Sequence, residues 1–258
     1  MAMTASMTTT SMSRRSCGTS LDGMTFRIRR VTTTRSGGVS AAPFDSFNLG
    51  DHVGDAPAAV ATNRARLAKA TGLGPDRLVW MNQVHGDHVV IVDGPHDTPI
   101  DATDALVTTV PRLAMVVVTA DCVPVLMADA RAGVVAAVHA GRVGAQHGVV
   151  ARALESMLAA GARPGDVSVL LGPAVSGLHY EVPAEMADEV EAALPGSRTV
   201  TSAGTVGLDL RAGIARQLRG LGVQAIDADP RCTAADPKLF SHRRDGLTGR
   251  LASLVWLE

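Results

Sequence analysis

The chain has few cysteines and no close pair among them. Cys17, Cys122 and Cys232 are an odd number of thiols spread over 258 residues. This usage is typical of a reducing compartment and argues against a disulfide framework. Each cysteine is therefore expected to be a buried filler, a ligand or a nucleophile, and we predict a cytoplasmic location.

The chain also lacks an excess of charge and a long apolar run. With 24 basic and 25 acidic residues the formal net charge is −1, so no basic field would attract nucleic acid or anionic lipid. No run approaches the ~18 consecutive apolar residues that a membrane helix needs. The expected partners are small molecules or protein, with no nucleic acid and no membrane.

Residues 1–24 and 25–258 differ in composition. The first segment is rich in Ser, Thr and Met and lacks the apolar core of a signal peptide. We predict a disordered N-terminal extension there. The remainder mixes strand and helix signals throughout, which favours one α/β domain.

The stretch 114–148 carries the strongest strand signals. Apolar, β-branched residues run over 115–118 and continue into 123–127, and a second run covers 134–138. Runs of this length and composition predict buried strands. Further strands are predicted over 24–32, 78–83, 89–92, 167–171, 224–226 and 251–257, and helices over 56–70, 149–160, 183–194 and 208–221. Residues 33–55 are predicted to form an ordered binding loop anchored by Phe44, Phe47 and Leu49.

Three potential metal ligands lie at strand-to-loop junctions. His85, Cys122 and His139 offer two imidazoles and a thiolate, and a fourth position open to water would make a catalytic zinc site. Spacing alone leaves other interpretations open. A lone Cys is often a small buried hydrophobe, and a His at a strand end is often a hydrogen-bonded core residue. Cys122 with a His and Asp121 could also form a thiol amidase site.

Glycines and arginines offer possible anion sites. Gly141, Gly144 and Gly148 follow a strand and precede a helix, where free N–H groups could hold an anion or the glycines could simply permit a tight turn. Their spacing matches neither the dinucleotide pattern nor a P-loop. A guanidinium suits phosphate in two-point contact. The candidate arginines lie in loops and are Arg35, Arg142, Arg243, Arg244 and Arg250.

Six separated motifs, in order, closely resemble the YfiH-type laccase-domain proteins. They are RSGGVSAAPFDSFNLGDHVGD, NQVHG, TADCVPVLMAD, VHAGR, LGPAVSGLHYEV and CTAADPKLFSHRRDGLTGR. Proteins of this family were once labelled multicopper polyphenol oxidases and are now described as purine nucleoside phosphorylases. The resemblance implies a single α/β (α+β) domain of layered mixed β-sheets flanked by helices, as in YfiH and CNF1-like folds.

The resemblance also implies a site. It assigns a zinc ion to His85, Cys122 and His139, and phosphorolysis of adenosine, inosine and S-methyl-5′-thioadenosine with adenosine deamination as a second activity. We predict that Arg35 acts with these three residues in catalysis and holds an anion, with Arg243 or Arg244 as the alternatives for the anion. We further predict that Asn48, Arg142, Arg243 and Arg244 bind substrate, and that Asp245 or His88 is the general acid.

The chain departs from the family pattern at three positions. Arg142 replaces a Trp, and Ala234 and His242 replace aromatic residues, so the way in which the purine is held is in question. Three other functions stay open. A copper oxidase could use the same ligands with Met127 as an axial partner, although eight His without an H-x-H pair argue against several coppers. The others are the thiol amidase and a non-catalytic interaction protein, and either a monomer or a homodimer is compatible with the sequence.

Overall fold

The computed structural model describes residues 25–258. The extension predicted over residues 1–24 lies outside the described residues. Twelve strands form the sheets: β1 Ile28–Thr32, β2 Leu78–Val79, β3 Val89–Ile91, β4 Ala105–Thr108, β5 Ala114–Thr119, β6 Val123–Asp129, β7 Val134–Ala140, β8 Val167–Leu171, β9 Arg198–Val200, β10 Val206–Leu208, β11 Ala225–Ala228 and β12 Leu251–Leu257. Six helices accompany them: α1 Pro57–Thr71, α2 Arg142–Gln146, α3 Val149–Ala159, α4 Ala184–Ala193, α5 Leu210–Gly220 and α6 His242–Asp245.

The strands form two large mixed sheets and one small hairpin. The four-stranded sheet has the order β1-β12-β5-β2, and the six-stranded sheet has the order β11-β8-β6-β7-β4-β3. Strands β9 and β10 pair with each other. The predicted layered α/β architecture is therefore confirmed.

The core shows how the layers stack. Along β6, Leu126 and Ala128 pack against residues of the four-stranded sheet, whereas Val125 and Met127 pack against α3 and α5 on the other face. This alternation follows from the two-residue period of a strand. Helix α1 covers the outer face of the four-stranded sheet. The order of layers is thus helix, sheet, sheet, helix, and central strands buried on both faces are continuously apolar.

One predicted run proves to be two strands in different sheets. The apolar residues 115–118 continue into 123–127 in sequence, but β5 belongs to the four-stranded sheet and β6 to the six-stranded sheet. The chain crosses between them at residues 120–122, where Asp121 has a φ of 99°. This crossing places Cys122 at the rim of the sandwich.

Other differences concern short elements. The strand predicted over 78–83 is regular only over Leu78–Val79, with Met81 forming an isolated bridge to Ile100. Strands β4, β9 and β10 and helices α2 and α6 are not predicted, since three to five residues carry too little periodicity. The loop 33–55 is ordered, as predicted, and is held by Asn63 of α1. Among the described residues, no helix is both long and apolar enough to cross a membrane.

Candidate metal centre

Strand register brings two of the predicted ligands together. Val123 pairs with Ala140 and Pro124 with His139, so the start of β6 and the end of β7 lie side by side. Strand β4 pairs with β7 on its other side, with Ala105 opposite Val138. Cys122, His139 and the residue before β4, Asp104, therefore meet at one edge of the six-stranded sheet.

His85 reaches this edge from the loop that follows β2. It has a φ of 61°, in the left-handed region that non-glycine residues rarely occupy. The Asp104 carboxylate stabilises this turn by accepting hydrogen bonds from the backbone N–H groups of Val84, His85 and Gly86, at 3.2, 3.0 and 2.7 Å. The turn thus holds the His85 ring opposite Cys122 and His139.

The three side chains could hold one metal ion. Their ligand atoms all lie within 4.8 Å of one another, and Cys122 Sγ is 3.8 Å from His85 Nε2. In a tetrahedral zinc site, Zn–S of about 2.3 Å and Zn–N of about 2.1 Å separate neighbouring ligand atoms by about 3.4–3.6 Å. The donor set therefore suits zinc, and ligand atoms spread over up to 4.8 Å would draw closer around an ion. Among the described residues, this is the one such group of three or more His, Cys, Asp or Glu.

Asp104 also orients His139. The carboxylate is fully buried and lies 2.8 Å from Nδ1 of His139, while the Asp104 carbonyl accepts the His139 backbone N–H at 2.7 Å. A proton on Nδ1 leaves Nε2 free to bind a metal, and such carboxylate partners raise the basicity of a metal-binding imidazole. Asp104 is not among the candidate residues of the sequence analysis, which missed this role.

Charges at the centre are strongly coupled. Burial alone would raise the pKa of the Cys122 thiol, but the charge of His139 and hydrogen bonds from both histidines lower it to about 6. Burial alone would lower the pKa of His139, but the Cys122 sulfur and Asp104 raise it to about 9. A thiolate therefore faces an imidazolium, and a divalent cation would take the place of the imidazolium proton.

Two glycines next to the centre allow close packing. A Cβ on Gly141 would lie 2.8 Å from His85 Cδ2 and 3.2 Å from Cys122 Sγ. A Cβ on Gly144 would lie 2.6 Å from the carbonyl oxygen of Gly86. Close approach explains why both positions lack a side chain, and anion binding by the N–H groups at these glycines stays a prediction.

A cavity of about 390 Å³ opens over the three ligands. Its volume is within the range of small-molecule sites, about 300–1,000 Å³. Apolar side chains include Val118, Val175 and Leu210. Polar and aromatic lining comes from His52, Gln83, Asp121, Arg142, Tyr180, His242, Arg243 and Arg250.

The predicted anion- and substrate-binding residues divide into two groups. Arg142 and Arg243 line the cavity, whereas Arg35, Asn48 and Arg244 do not. Arg35 contacts Asp45 and Asp245 and stacks on Phe240. Their roles in substrate binding stay predictions.

Asn48 and Arg244 hold loops. Asn48 is fully buried, and its amide bonds to Gly50, Asp55 and the backbone N–H of Arg250. Arg244 donates to the carbonyls of residues 233, 236 and 239 and pairs with Asp245 at 2.7 Å. Both side chains thus have a full set of partners within the protein.

Neither predicted general acid lines the cavity. His88 lies on the surface in a different depression. The Arg244 guanidinium hydrogen-bonds to Asp245 and lowers the pKa of that carboxyl, which opposes proton donation at neutral pH. Tyr180, the one tyrosine of the chain, does line the cavity, and burial raises its pKa. The LGPAVSGLHYEV motif was the only sequence signal that pointed to it.

Two of the three departures from the family pattern lie in the cavity. Arg142 and His242 line it, whereas Ala234 does not. The imidazole of His242 and the ring of Tyr180 therefore provide flat surfaces there. Asp121 joins this wall to the centre, because its carboxylate accepts hydrogen bonds from Thr233, Ser241 and the backbone N–H of Arg243.

Comparison with known proteins agrees with this geometry. The family model described as "Multi-copper polyphenol oxidoreductase laccase" matches residues 29–258. A Mycobacterium tuberculosis protein named purine nucleoside phosphorylase is 76% identical over 90% of this chain and 93% of its own length. A Corynebacterium glutamicum protein of the same name is 57% identical over 92% of this chain and 98% of its own length.

Solved structures share the fold. Bacillus licheniformis YfiH has a TM-score of 0.84 and 30% identity, covering 93% of this chain and 98% of its own. Geobacillus stearothermophilus YlmD has a TM-score of 0.83 and 32% identity, covering 89% and 92%. The motifs, the layered fold and these matches agree, and the chain therefore belongs to the YfiH-type laccase-domain family.

Proposed function

We propose that the protein is a zinc-dependent purine nucleoside phosphorylase. Its substrates would be adenosine, inosine and S-methyl-5′-thioadenosine, which phosphate would cleave to the free base and ribose 1-phosphate or its methylthio analogue. Adenosine deamination would be a second activity. The observation that carries the proposal is a nucleoside-sized cavity with His85, Cys122 and His139 in its wall. The names of the relatives support the same reaction class.

The reaction exchanges one bond for another at C1′ of the ribose. The bond from C1′ to the purine nitrogen breaks and its electron pair stays with the base, while a phosphate oxygen bonds to C1′. The proton that hydrogen phosphate loses ends on the base. Fixed charges around the cavity would stabilise the departing base and the electron-poor sugar.

Residues of this chain have defined tasks in the proposal. Tyr180 and His242 offer ring surfaces against which a purine can stack. His85, Cys122 and His139 would hold the zinc, and Asp104 fixes the orientation of two of them. When bound, the zinc would polarise a substrate group or activate water for deamination.

The test is incubation of the purified protein with adenosine, with and without phosphate. Chromatography separates adenine and ribose 1-phosphate, the products of phosphorolysis, from inosine, the product of deamination. We expect phosphate-dependent adenine release that His85→Ala abolishes. His96→Ala, at an exposed histidine of a surface loop, is the matched control. No adenine in the presence of phosphate would refute the proposal.

A thiol amidase is the second candidate, because Cys122, His139 and Asp104 also have the order of a thiolate, base and orienting acid. His85, 3.8 Å from the sulfur, has no role in such a triad but is required as a third metal ligand. The two functions separate experimentally. An amidase would be inactivated by iodoacetamide and be indifferent to a chelator.

A copper oxidase is disfavoured by the same geometry. Met127, the predicted axial partner, is fully buried in the core of β6, five residues beyond Cys122. Five residues of extended strand span about 16 Å, so Met127 is not a ligand at this centre. A single ion at this centre would not perform four-electron oxygen reduction. Colour and oxygen uptake with a phenol after copper loading test this function.

A further inference from the structure

The arginines of the C-terminal region and the cavity differ in how their charges are compensated. Arg35 and Arg244 each have a carboxylate within 4 Å. Within residues 25–258, no carboxylate forms an ion pair with Arg142, Arg243 or Arg250, and all three line the cavity. Three arginines without an ion pair therefore line the cavity, where a ligand would bind.

Arg250 has a partly buried guanidinium with few partners within the protein. Of its guanidinium nitrogens, only NH1 donates a hydrogen bond within the described structure, to the carbonyls of Thr248 and Gly249. Burial lowers the pKa of its guanidinium, and the negative charges of Cys122 and Asp121 oppose this effect only in part. A half-buried cation without an ion pair is costly, and an anionic ligand would relieve that cost.

Arg142 and Arg243 carry positive charge to the same part of the cavity. The Arg243 guanidinium lies 5.1 Å from the centre of the Tyr180 ring. Burial raises the pKa of Tyr180, the charge of Cys122 raises it further, and the charges of Arg142 and Arg243 oppose this. Arg142 begins α2 three residues after His139, and the backbone N–H of Arg243 donates to Asp121. Both arginines thus stand close to the metal ligands.

We propose that Arg250, together with Arg142 and Arg243, binds the phosphate co-substrate. Guanidinium groups bind phosphate oxygens in two-point contacts, and three of them can contact more of the oxygens of hydrogen phosphate than a single arginine can. The inference rests on the proposed phosphorolysis. Among the candidate arginines, the sequence-based prediction favoured Arg35 for the anion. Arg35 lies outside the cavity and already forms ion pairs with Asp45 and Asp245.

The site has a consequence for the two proposed activities. Phosphorolysis needs phosphate, whereas deamination needs only water and the nucleoside. Loss of the arginine site should therefore impair the first reaction and spare the second. An arginine that merely supported the fold or the nucleoside would impair both reactions together.

The experiment measures KM for phosphate, KM for adenosine and the deamination rate in the zinc-loaded protein. For Arg250→Gln we expect the phosphate KM to rise roughly 10- to 100-fold, as for the loss of a charge-assisted contact. The adenosine KM and the deamination rate should stay within about 3-fold of those of the unsubstituted protein, the range expected for a substitution that removes no relevant contact. The phosphate KM should rise less in Arg250→Lys, which keeps the charge. It should also rise in Arg142→Gln. Arg131→Gln, on the surface, is the control.

Three kinetic results would overturn the inference. An unchanged phosphate KM in both Arg250→Gln and Arg142→Gln would do so, as would equal losses of phosphorolysis and deamination in Arg250→Lys. The third result is a 10-fold rise of the phosphate KM in Arg35→Gln without such a rise in Arg142→Gln, which would indicate that Arg35 binds the phosphate.

Calorimetric titration of inorganic phosphate separates failure of this inference from failure of the proposed function. Phosphate binding in the unsubstituted protein that Arg250→Lys weakens would support the site even if no nucleoside were cleaved. Phosphorolysis with unchanged phosphate affinity in the variants would support the proposed function and refute the arginine site. No phosphate binding by the unsubstituted protein at millimolar concentration would also remove it.

Discussion

Replacing Asp104 by Asn should weaken both the fold and the metal centre. Oδ1 accepts hydrogen bonds from His85 N and His139 Nδ1, and Oδ2 accepts them from Val84 N and Gly86 N. An amide has one oxygen, so in either orientation its NH2 group faces two donors. Charge-assisted hydrogen bonds contribute about 1.5–3 kcal/mol each. Two lost acceptors at a fully buried residue predict a decrease of about 3 kcal/mol or more in the free energy of unfolding.

The effect on the metal should be separable from the effect on stability. Partners that orient a ligand typically change metal affinity about 10- to 100-fold when they are replaced. Asp104 acts on two ligands, since it holds the His85 turn and the His139 ring. We therefore expect a loss toward the upper end of that range. Competition with a chromophoric chelator measures it in protein that is folded at the assay temperature.

Asp101→Asn is the matched control for this substitution. Asp101 lies in the same loop, is exposed, and its carboxylate bonds only to the Asn82 amide among the described residues, at 2.8 Å. Its replacement should change stability by less than about 1 kcal/mol and leave metal affinity unchanged. If Asp104→Asn bound zinc as tightly as the unsubstituted protein, the assigned role of Asp104 would be refuted.

Further substitutions test the remaining contacts. Asn48→Ala should lower the free energy of unfolding by about 2–4 kcal/mol, and a large change in substrate KM with normal stability would instead support substrate binding. Gly144→Ala should cost about 1–3 kcal/mol and weaken metal binding, because its Cβ would meet the Gly86 carbonyl at 2.6 Å. Gly165→Ala, in open space, should do neither. Arg244→Gln should destabilise the C-terminal loop measurably in hydrogen exchange, and unaltered protection there would contradict its clamping role.

Long apolar strands and helices were predictable because the spacing of apolar residues within each segment is enough to indicate them. The strand β12 has the predicted bounds, Leu251–Leu257, and α1 and α3 lie within one residue of theirs. Short strands such as β4 carry only four residues and depend on pairing with β7. The crossing of the chain between sheets at 120–122 is a tertiary event, so one apolar run was not recognised as two strands in different sheets.

The site shows the same division. The three ligand types were recognisable in the sequence, but their convergence depends on the register of β6 against β7 and on the turn that Asp104 holds. Pairing among arginines was not predictable, because Asp45 and Asp245 are brought to Arg35 only by the folded loops. Arg250 and Tyr180 enter the cavity from elements far apart in the chain. Residue types in the sequence therefore predicted the chemistry of the site. They did not predict which of the several arginines line it.

Metal analysis of the purified protein is the most direct test of the central claim, that His85, Cys122 and His139 bind one catalytic zinc ion. We expect close to one zinc per chain by mass spectrometry, loss of that zinc in Cys122→Ser, and loss of nucleoside cleavage after chelation with recovery on adding zinc. A purified protein without stoichiometric zinc that cleaves adenosine at an undiminished rate would contradict the account.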